Sequence, residues 1–193
     1  MTSRWRRIRG LAALAAAVAL VAGGCGPGAS QYVRDDVDFS FVRRVAVYPF
    51  YNLCQDVFAG QRLQSVFTTE LLNKDQVEMV DRGETLAAIA ELQLPPDSIL
   101  SPEQVVALGK RLQADGIFFA TVEEYGQERL GGDATNVVTA NYQLGETQTG
   151  RTIWSSQTRT DGGSLLRKLF GGGTAGIYDV ARANVRAALG TLF

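Results

Sequence analysis

The residue types that the sequence lacks exclude several kinds of functional site. Its 193 residues include no histidine and only two cysteines. Without imidazole there can be no Ser-His-Asp triad, no Cys-His pair and no His-ligated zinc, and two cysteines cannot form a four-cysteine metal centre. The chain also lacks a basic excess, since its formal net charge is −1, and nucleic-acid-binding surfaces normally need a basic face. We therefore expect no cofactor, no metal and no nucleic-acid partner.

The composition indicates one folded domain. Hydrophobic residues make up 46% and charged residues 20% of the chain, as is typical of a globular protein and not of a disordered one. A chain of this length builds one ordinary hydrophobic core.

The N-terminal segment has the pattern of a secretory signal. Four arginines and no acid precede residue 10, and residues 11–22 form an uninterrupted apolar run. A membrane-spanning helix needs about 20 such residues, so a run of this length after a basic leader indicates a cleaved signal peptide. The run ends in Val21-Ala22-Gly23-Gly24-Cys25, which resembles the lipobox of bacterial lipoproteins, with Ala22 where leucine is commonest.

The resemblance to a lipobox implies cleavage before Cys25 and acylation of its sulfur. The alternative is an ordinary secretory signal with an incidental cysteine. Loss of residues 1–24 would remove four of the 19 basic residues and none of the 20 acidic ones, leaving a net charge of −5. Gly26 in place of aspartate implies the outer membrane in a bacterium with two membranes. We expect three parts: signal peptide 1–24, lipidated cysteine and tether 25–42, and one domain over 43–193.

The periodicity after residue 42 alternates between strand and helix. It predicts strands over residues 43–50, 76–80, 117–125, 134–144 and 151–160, and helices over 57–73, 83–92, a stretch starting at Ser101, and 177–189. A strand–helix–strand start implies a parallel right-handed crossover, and the closing strands imply an antiparallel meander. The predicted fold is therefore α/β, with a mixed sheet of about five strands and helices packed on it.

The predicted helices have assignable faces and ends. The buried face of 57–73 is expected to contain Phe58, Leu63, Val66, Phe67, Leu71 and Leu72. In 83–92 the expected buried stripe is Leu86, Ile89 and Leu92. Ser101-Pro102-Glu103-Gln104 predicts a capping box with proline in the first turn.

Several segments, in this order, resemble one superfamily of envelope proteins. They are residues 45–52 (VAVYPFYN), Thr69–Leu72, Val80–Arg82, 109–116 (GKRLQADG) and 149–154 (TGRTIW). The superfamily includes the amino-terminal domain of TolB, the curli secretion lipoprotein CsgG and LpoB, the lipoprotein activator of a cell-wall synthase. The resemblance covers residues 43–190 and implies this α/β fold.

Two departures from that superfamily bear on function. Curli channel subunits insert two long hairpins that together form a barrel, whereas here one hairpin spans about 117–144 and carries Glu123, Glu124 and Glu128. The protein is thus not expected to be a channel by itself. Cell-wall synthase activators carry a long leader before the domain, and residues 26–42 are much shorter.

Four groups of residues are candidate sites. Cys54 is interpreted as a partly buried small hydrophobe. Glu123, Glu124 and Glu128 are expected to alternate faces and stay solvated rather than converge. Gly171–Gly173 lacks the lysine of a phosphate-binding loop. Leu165, Leu166, Leu169 and Phe170 form an apolar patch that could contact a membrane or a partner, or fold onto the domain's own sheet.

The function expected from these observations is non-catalytic. We expect an envelope lipoprotein at the periplasmic face of the outer membrane, held in the lipid bilayer by Cys25. It would act as an assembly, scaffold or secretion accessory factor through contacts with envelope proteins or further copies of itself. The alternatives are an LpoB-like regulator of a cell-wall synthase, and a periplasmic binder of small molecules or glycans through loops 51–56 and 161–176.

Overall fold

The computed structural model of the protein describes residues 29–33, 39–96, 98–130, 133–163 and 174–193. The predicted signal peptide, Cys25, the patch at 165–170 and Gly171–Gly173 lie outside these ranges. The described strands are β1 (Ala29–Val33), β2 (Arg44–Val47), β3 (Tyr51–Asn52), β4 (Glu78–Met79), β5 (Gly116–Leu130), β6 (Asp133–Glu146) and β7 (Thr152–Asp161). The described α-helices are α1 (Ala59–Leu72), α2 (Arg82–Glu91), α3 (Pro102–Leu112) and α4 (Ile177–Leu189).

The strands form one mixed sheet in the order β1-β7-β6-β5-β2-β4, and β3 also pairs with β5. β2 is parallel to β4 and β5, and β3 is parallel to β5. β5, β6, β7 and β1 are joined by antiparallel pairs. The predicted α/β class, parallel start and antiparallel end are confirmed, with seven strands instead of about five.

Two short strands account for the higher count. Residues 29–33, within the segment predicted as a tether, pair along β7 from Ala29–Thr158 to Val33–Trp154. Proline has no N–H for a sheet ladder, and around Pro49 the predicted strand 43–50 is interrupted between β2 and β3. The backbone N–H of Tyr48 donates to Phe118 O at 2.9 Å, and that of Leu53 to Val122 O at 2.9 Å. These bonds keep the chain aligned with β5 across the break.

The β5–β6 hairpin is longer than predicted. The two strands pair continuously from Gly116–Glu146 to Leu130–Asp133, with a bulge between Val122 and Glu124. The polar residues 127–129 lie beyond the predicted strand 117–125, but they belong to the ladder, opposite residues 134–136 of the predicted strand 134–144. Their backbone groups are paired across the hairpin, and this pairing does not require apolar side chains.

Helices α1 and α2 differ from the predicted faces at three positions. In α1 the central residues Leu63, Phe67 and Leu71 are buried as expected, whereas Phe58, the N-cap residue, and Leu72 are exposed. Both exposed residues lie at helix ends, where the neighbouring sheet no longer covers them. In α2 the expected stripe is wrong at Leu86, which is exposed.

The buried side of α2 includes Ile89, as predicted, but has Thr85 in place of Leu86. Thr85, Ala88 and Ile89 are buried. The Thr85 hydroxyl donates to Asp81 O at 3.1 Å, so its polar group has a partner inside the helix's first turn. Asp81 caps the helix by accepting from the Gly83 N–H at 2.7 Å. The alanines of α2 are small enough to be either buried or exposed. Packing against the neighbouring elements therefore decides which side of the helix is buried.

Helix α3 begins as predicted. Ser101 Oγ accepts from the Gln104 N–H at 3.4 Å, and the Ser101 N–H donates to Gln104 Oε1 at 2.8 Å. These are the two bonds of a capping box. Val105, Leu108 and Leu112 are its buried apolar residues, also as predicted.

One face of the sheet lies under α1 and α4, and we call it the covered face. Its centre is aromatic: the Phe67 ring lies 5.2 to 5.5 Å from the rings of Phe50, Phe118 and Tyr142, and Trp154 contacts Phe118 at 6.2 Å. All of these rings are buried. Offset and edge-to-face pairs of this kind add to the free energy gained by burial.

A buried amide joins α4 to the covered face. Asn184 is fully buried, and its Nδ2 donates to Val138 O at 3.0 Å and Thr158 O at 3.1 Å. Its Oδ1 accepts from the hydroxyls of Tyr142 at 2.8 Å and Thr158 at 2.9 Å. Because every polar atom of the amide is bonded, the helix has one favoured register on the sheet.

Candidate functional site: the open face and its groove

The opposite face of the sheet is divided. Over β2 and the start of β5, helices α2 and α3 pack on Ala46, Tyr48 and Ile117 in a second apolar cluster. Over β6, β7 and β1 the side chains of the three rows described next are exposed or half-buried, except that of Thr139, which is buried. We call this second part, made by the three rows of side chains described next, the open face.

Direct antiparallel partners point to the same side of a sheet, and the register therefore defines rows across the strands. The open face consists of the rows Phe119–Gln143–Ser155–Tyr32, Thr121–Asn141–Gln157–Ser30 and Glu124–Thr139–Arg159. Amides and hydroxyls dominate these rows. Because the rows lie on paired strands, their side chains project from a rigid frame.

The third row contains a charged cluster. Arg159 Nη2 lies 2.6 Å from Glu128 Oε2, and its Nη1 contacts Glu124 Oε2. The Thr139 hydroxyl donates to the same Glu124 oxygen at 2.5 Å. The expectation that the three glutamates do not converge is thus wrong for Glu124 and Glu128. They are four residues apart on one strand, so both lie on the same side, beyond the bulge at Val122.

Arg159 contacts both of these acids. The two carboxylates share one guanidinium in an ion-pair cluster. Glu123 stands apart, and its Oε2 accepts from Gln157 Nε2 at 3.3 Å. In the described residues no group of three or more His, Cys, Asp or Glu side chains could hold a metal ion.

A groove of about 310 Å³ opens where α3 meets the open face. Its apolar part includes Tyr48, Ile99, Leu100 and Phe119, and its polar part includes Arg151. The Tyr48 hydroxyl donates to Pro95 O at 2.5 Å, which ties the 94–100 segment to the sheet. The groove is thus built by apolar residues before α3 and a polar turn before β7.

A close backbone approach sets the width of the groove. Gly150 has φ +73°, and a Cβ there would lie 2.2 Å from Pro102 O. Only glycine fits this turn against the start of α3. The sequence predicts ligand contacts, for the binder alternative, in loops 51–56 and 161–176. Of the described residues in those loops, only Tyr51 lines the groove.

Cys54 lies at the edge of the covered face. The thiol is half-buried among the apolar residues there, as predicted, and its Sγ lies 3.6 Å from Val122 O. Burial, with smaller contributions from Asp56 and Glu124, raises the pKa of the thiol. Cys54 is therefore held as a thiol, the less reactive form.

None of the described helices has the length and apolarity needed to cross a membrane. The candidate contact residues Leu165, Leu166, Leu169 and Phe170 lie outside the described residues, and their role stays a prediction. The residues that flank them are described: Asn136 Nδ2 donates to Ala175 O at 2.7 Å, and Gly162 N–H to Asn136 O at 2.8 Å. Gly162 and Ala175, on the two sides of the candidate residues, are thus both hydrogen-bonded to Asn136 in the β5–β6 hairpin.

The fold defines a class of α/β domains with an open mixed sheet, and solved structures share it. A PelC dodecamer from Paraburkholderia phytofirmans is similar with a TM-score of 0.60 and 17% identity, over 86% of this chain and 97% of that one. Lipoprotein GNA1162 from Neisseria meningitidis is similar with a TM-score of 0.56 and 18% identity, over 78% and 97%. Protein CT253 from Chlamydia trachomatis is similar with a TM-score of 0.53 and 12% identity, over 78% and 95%. At these identities the likeness concerns the fold alone.

A family model gives the narrower assignment. The model described as peptidoglycan-synthase activator LpoB matches residues 29–160, more than half of the chain. The chain belongs to this family. Among curated proteins none matches it.

The LpoB part of the expected resemblance is thereby confirmed. The likeness to TolB and CsgG stays a prediction, as does lipidation at Cys25. The matched range begins at β1 and not at residue 43, so it includes a strand that was assigned to the tether.

Proposed function

We propose that this protein is a non-catalytic envelope lipoprotein, anchored through acylated Cys25, that regulates a peptidoglycan synthase by direct protein contact. One observation carries the proposal. The family match over residues 29–160 contains every strand of the open face, from β1 to nearly the end of β7. This reverses the order of the expected functions, in which assembly or secretion came first.

The open face is the surface we assign to the synthase. Protein interfaces are mixed in polarity, with tyrosine and arginine enriched and rigid complementary frames. The face presents Tyr32 beside Ser155, with Gln143 and Asn141 on the neighbouring strand. The backbone that carries these side chains is paired in the sheet, so a partner that binds their amides and hydroxyls need not order a loop.

A contact mechanism also fits the chemistry present. Activation by contact requires differential affinity for the active state of the synthase, and no reacting group on the activator. Glu124 and Glu128 of the open face are ion-paired with Arg159, and burial raises the pKa of the one thiol described, that of Cys54. We therefore assign no catalytic residue.

Reconstitution with the synthase tests the proposal. The peptidoglycan synthases of the source bacterium are purified, and the rate of glycan polymerisation from lipid II is measured with and without the full-length protein. We expect stimulation by the wild type and its loss in Asn141→Arg, which places a long charged side chain in the middle of the open face. Stimulation by none of the preparations against any synthase would contradict the proposal.

A matched control separates surface from stability. Gln113→Arg makes a similar change at an exposed residue at the end of α3, away from the open face. It should stimulate like the wild type, and both variants should unfold at wild-type urea concentrations. Equal loss of stimulation in the two variants would remove the assignment of the open face.

The scaffold function expected from the sequence remains a second candidate. The observation that favours it is the shared fold with PelC, which forms a dodecamer. A ring or a larger assembly of this chain would give multiangle light scattering masses well above 20.8 kDa. A strictly monomeric protein that still stimulates the synthase would leave the regulator as the one surviving function.

A further inference from the structure

The groove between α3 and the open face combines an apolar lining with a single charge. Tyr48 and Leu100 in its lining are buried, and Phe119 is half-buried. Among the described residues that line the groove, Arg151 is the one with a charged side chain. A ligand in the groove would therefore meet apolar surface, neutral polar groups and one positive charge.

The apolar part of the groove is not covered by the rest of the described chain. Ile99 lines it, and at 77% this residue is the most exposed of the large hydrophobic side chains in the described ranges. A single exposed apolar side chain is ordinary on a protein surface. Here it adjoins the concave lining that contains Phe119 and Leu100, and a contiguous apolar surface with a polar rim is typical of an interaction site.

The guanidinium of Arg151 is available to an acid from outside the chain. Arg151 is exposed, and the ion pairs of the described residues use other arginines. Two acids lie close to the lining residues in the chain. Glu103 accepts from the Ser101 hydroxyl at 2.7 Å, and Glu146 accepts from the Thr149 hydroxyl. Neither of them forms an ion pair with Arg151.

The groove is continuous with the surface that we assign to the synthase. Phe119 and Gln143 form part of one row of the open face, and Thr121 and Asn141 form part of the next row. All four residues also line the groove. Its volume of about 310 Å³ is at the lower limit of small-molecule sites, so it suits a side chain of the protein that covers the open face.

We propose that the groove binds a segment of the synthase in which an apolar or aromatic side chain lies close to an aspartate or glutamate. The apolar side chain packs on Ile99 and Phe119, and the carboxylate pairs with Arg151. An apolar anchor in a preformed pocket with a charge at the rim is the usual arrangement of an interface hot spot. The apolar contact provides affinity, and the charge selects the partner.

This inference rests on the proposed function, because it names the part of the synthase that the groove contacts. The first test is photo-crosslinking between the full-length protein and the purified synthase. The photo-reactive amino acid p-benzoylphenylalanine is introduced at Ile99, and the crosslinked synthase peptide is identified by mass spectrometry. The matched control has the same amino acid at Leu72, which is exposed but lies at the end of α1, on the covered side of the sheet.

The crosslinks from Ile99 should fall in one synthase segment. An Asp or Glu should lie within about three residues of the crosslinked position, since three residues of extended chain span about 10 Å. The control at Leu72 should give no crosslink to the synthase. Crosslinks of equal yield from the two positions, or crosslinks from Ile99 only to segments without an acid, would overturn the inference.

The second test reverses the charge of the groove. Arg151→Glu should raise the Kd for the immobilised synthase by about tenfold at low salt, because two negative charges then face each other. The effect should be smaller in 0.5 M salt, where charges are screened. Arg151→Gln removes the positive charge without adding a negative one and should weaken binding less. Both variants should unfold at the wild-type urea concentration, since the Arg151 side chain is exposed.

Arg129→Glu is the matched control for the charge. Arg129 is exposed and points to the opposite side of the hairpin from its neighbour Glu128. Its reversal should change the Kd by less than about twofold. Changing the crosslinked acid of the synthase to lysine should restore the binding of Arg151→Glu, which a merely structural role of Arg151 would not produce.

A Kd that Arg151→Glu leaves unchanged would overturn the inference, as would equal weakening by Arg129→Glu. Stimulation and binding of the synthase by the wild type, without any crosslink from Ile99, would remove this inference alone. Absence of both binding and stimulation would remove the proposed function together with it.

Discussion

The two faces of the sheet differ in how their side chains are packed. On the covered face, α1 and α4 bury an aromatic cluster centred on Phe67, and the polar Asn184 has all its hydrogen bonds satisfied. On the open face, the same strands present amides, hydroxyls and an ion-pair cluster to solvent. Since strand residues alternate between faces, each strand serves both. Stability should therefore depend on one set of residues and partner binding on the other.

The largest effect is expected from the centre of the covered face. Phe67→Ala removes a fully buried ring and its aromatic contacts, and should lower the free energy of unfolding by about 3–5 kcal/mol. Tyr32→Ala on the open face should change it by less than about 0.5 kcal/mol. Urea denaturation followed by circular dichroism measures both. Similar losses for the two variants would contradict the division between the faces.

A smaller but sharper contrast compares two amides. Asn184→Ala leaves the buried carbonyl of Val138 and the buried hydroxyl of Tyr142 without their partner, and should cost about 1–3 kcal/mol. Gln157→Ala removes an exposed amide on the open face and should leave stability nearly unchanged. Urea denaturation followed by circular dichroism measures the free energy of unfolding of both variants. A negligible effect at Asn184 would show that α4 does not depend on this amide.

The ion-pair cluster should contribute less. Arg159→Met removes its contacts to Glu124 and Glu128, and because all three side chains are substantially exposed, the loss should be about 0–1 kcal/mol. The difference from the wild type should shrink further in 1 M salt, where the screening length is about 3 Å. A loss that persists in high salt would indicate that packing of the arginine stem, rather than charge, is what stabilises the cluster.

The smallest effect is kinetic and lies at the edge of the covered face. Burial raises the pKa of Cys54, so the thiolate fraction at pH 8 is below that of an ordinary thiol. Alkylation by iodoacetamide should be slower than for glutathione at pH 8, and should keep rising at higher pH. Asp56→Asn removes a neighbouring negative charge and should speed it. Alkylation as fast as that of glutathione would place Cys54 in solvent.

The sequence predicts local features of the fold well where one residue type controls them. The Ser101–Gln104 capping box and the period-3.6 pattern of α3 are confirmed, and so is the parallel start and antiparallel end of the sheet. Pro49, placed near a strand end, marks the break between β2 and β3.

The rest depends on pairs of residues that are distant in the chain. Asn184 can be buried because its amide bonds the carbonyl oxygens of Val138 and Thr158. The helical periodicity of α4 gives no information about these partners on β6 and β7. The identity of β1 depends on pairing with a strand that lies more than 120 positions later. The groove joins residues 98–102 to 150–152, and nothing local links those two turns. The convergence of Glu124 and Glu128 could have been predicted from their spacing of four on one strand.

The pairing of β1 with β7 also has a consequence for the order of events during folding. The chain passes through β2, β5 and β6 before the partner of β1 exists, and contacts between such distant segments form late because the loop between them must close. Residues 29–33 therefore stay unpaired until residues 154–158 have been synthesised. In the proposed lipoprotein, the peptidase that cuts before Cys25 would meet its site while the sheet is still incomplete.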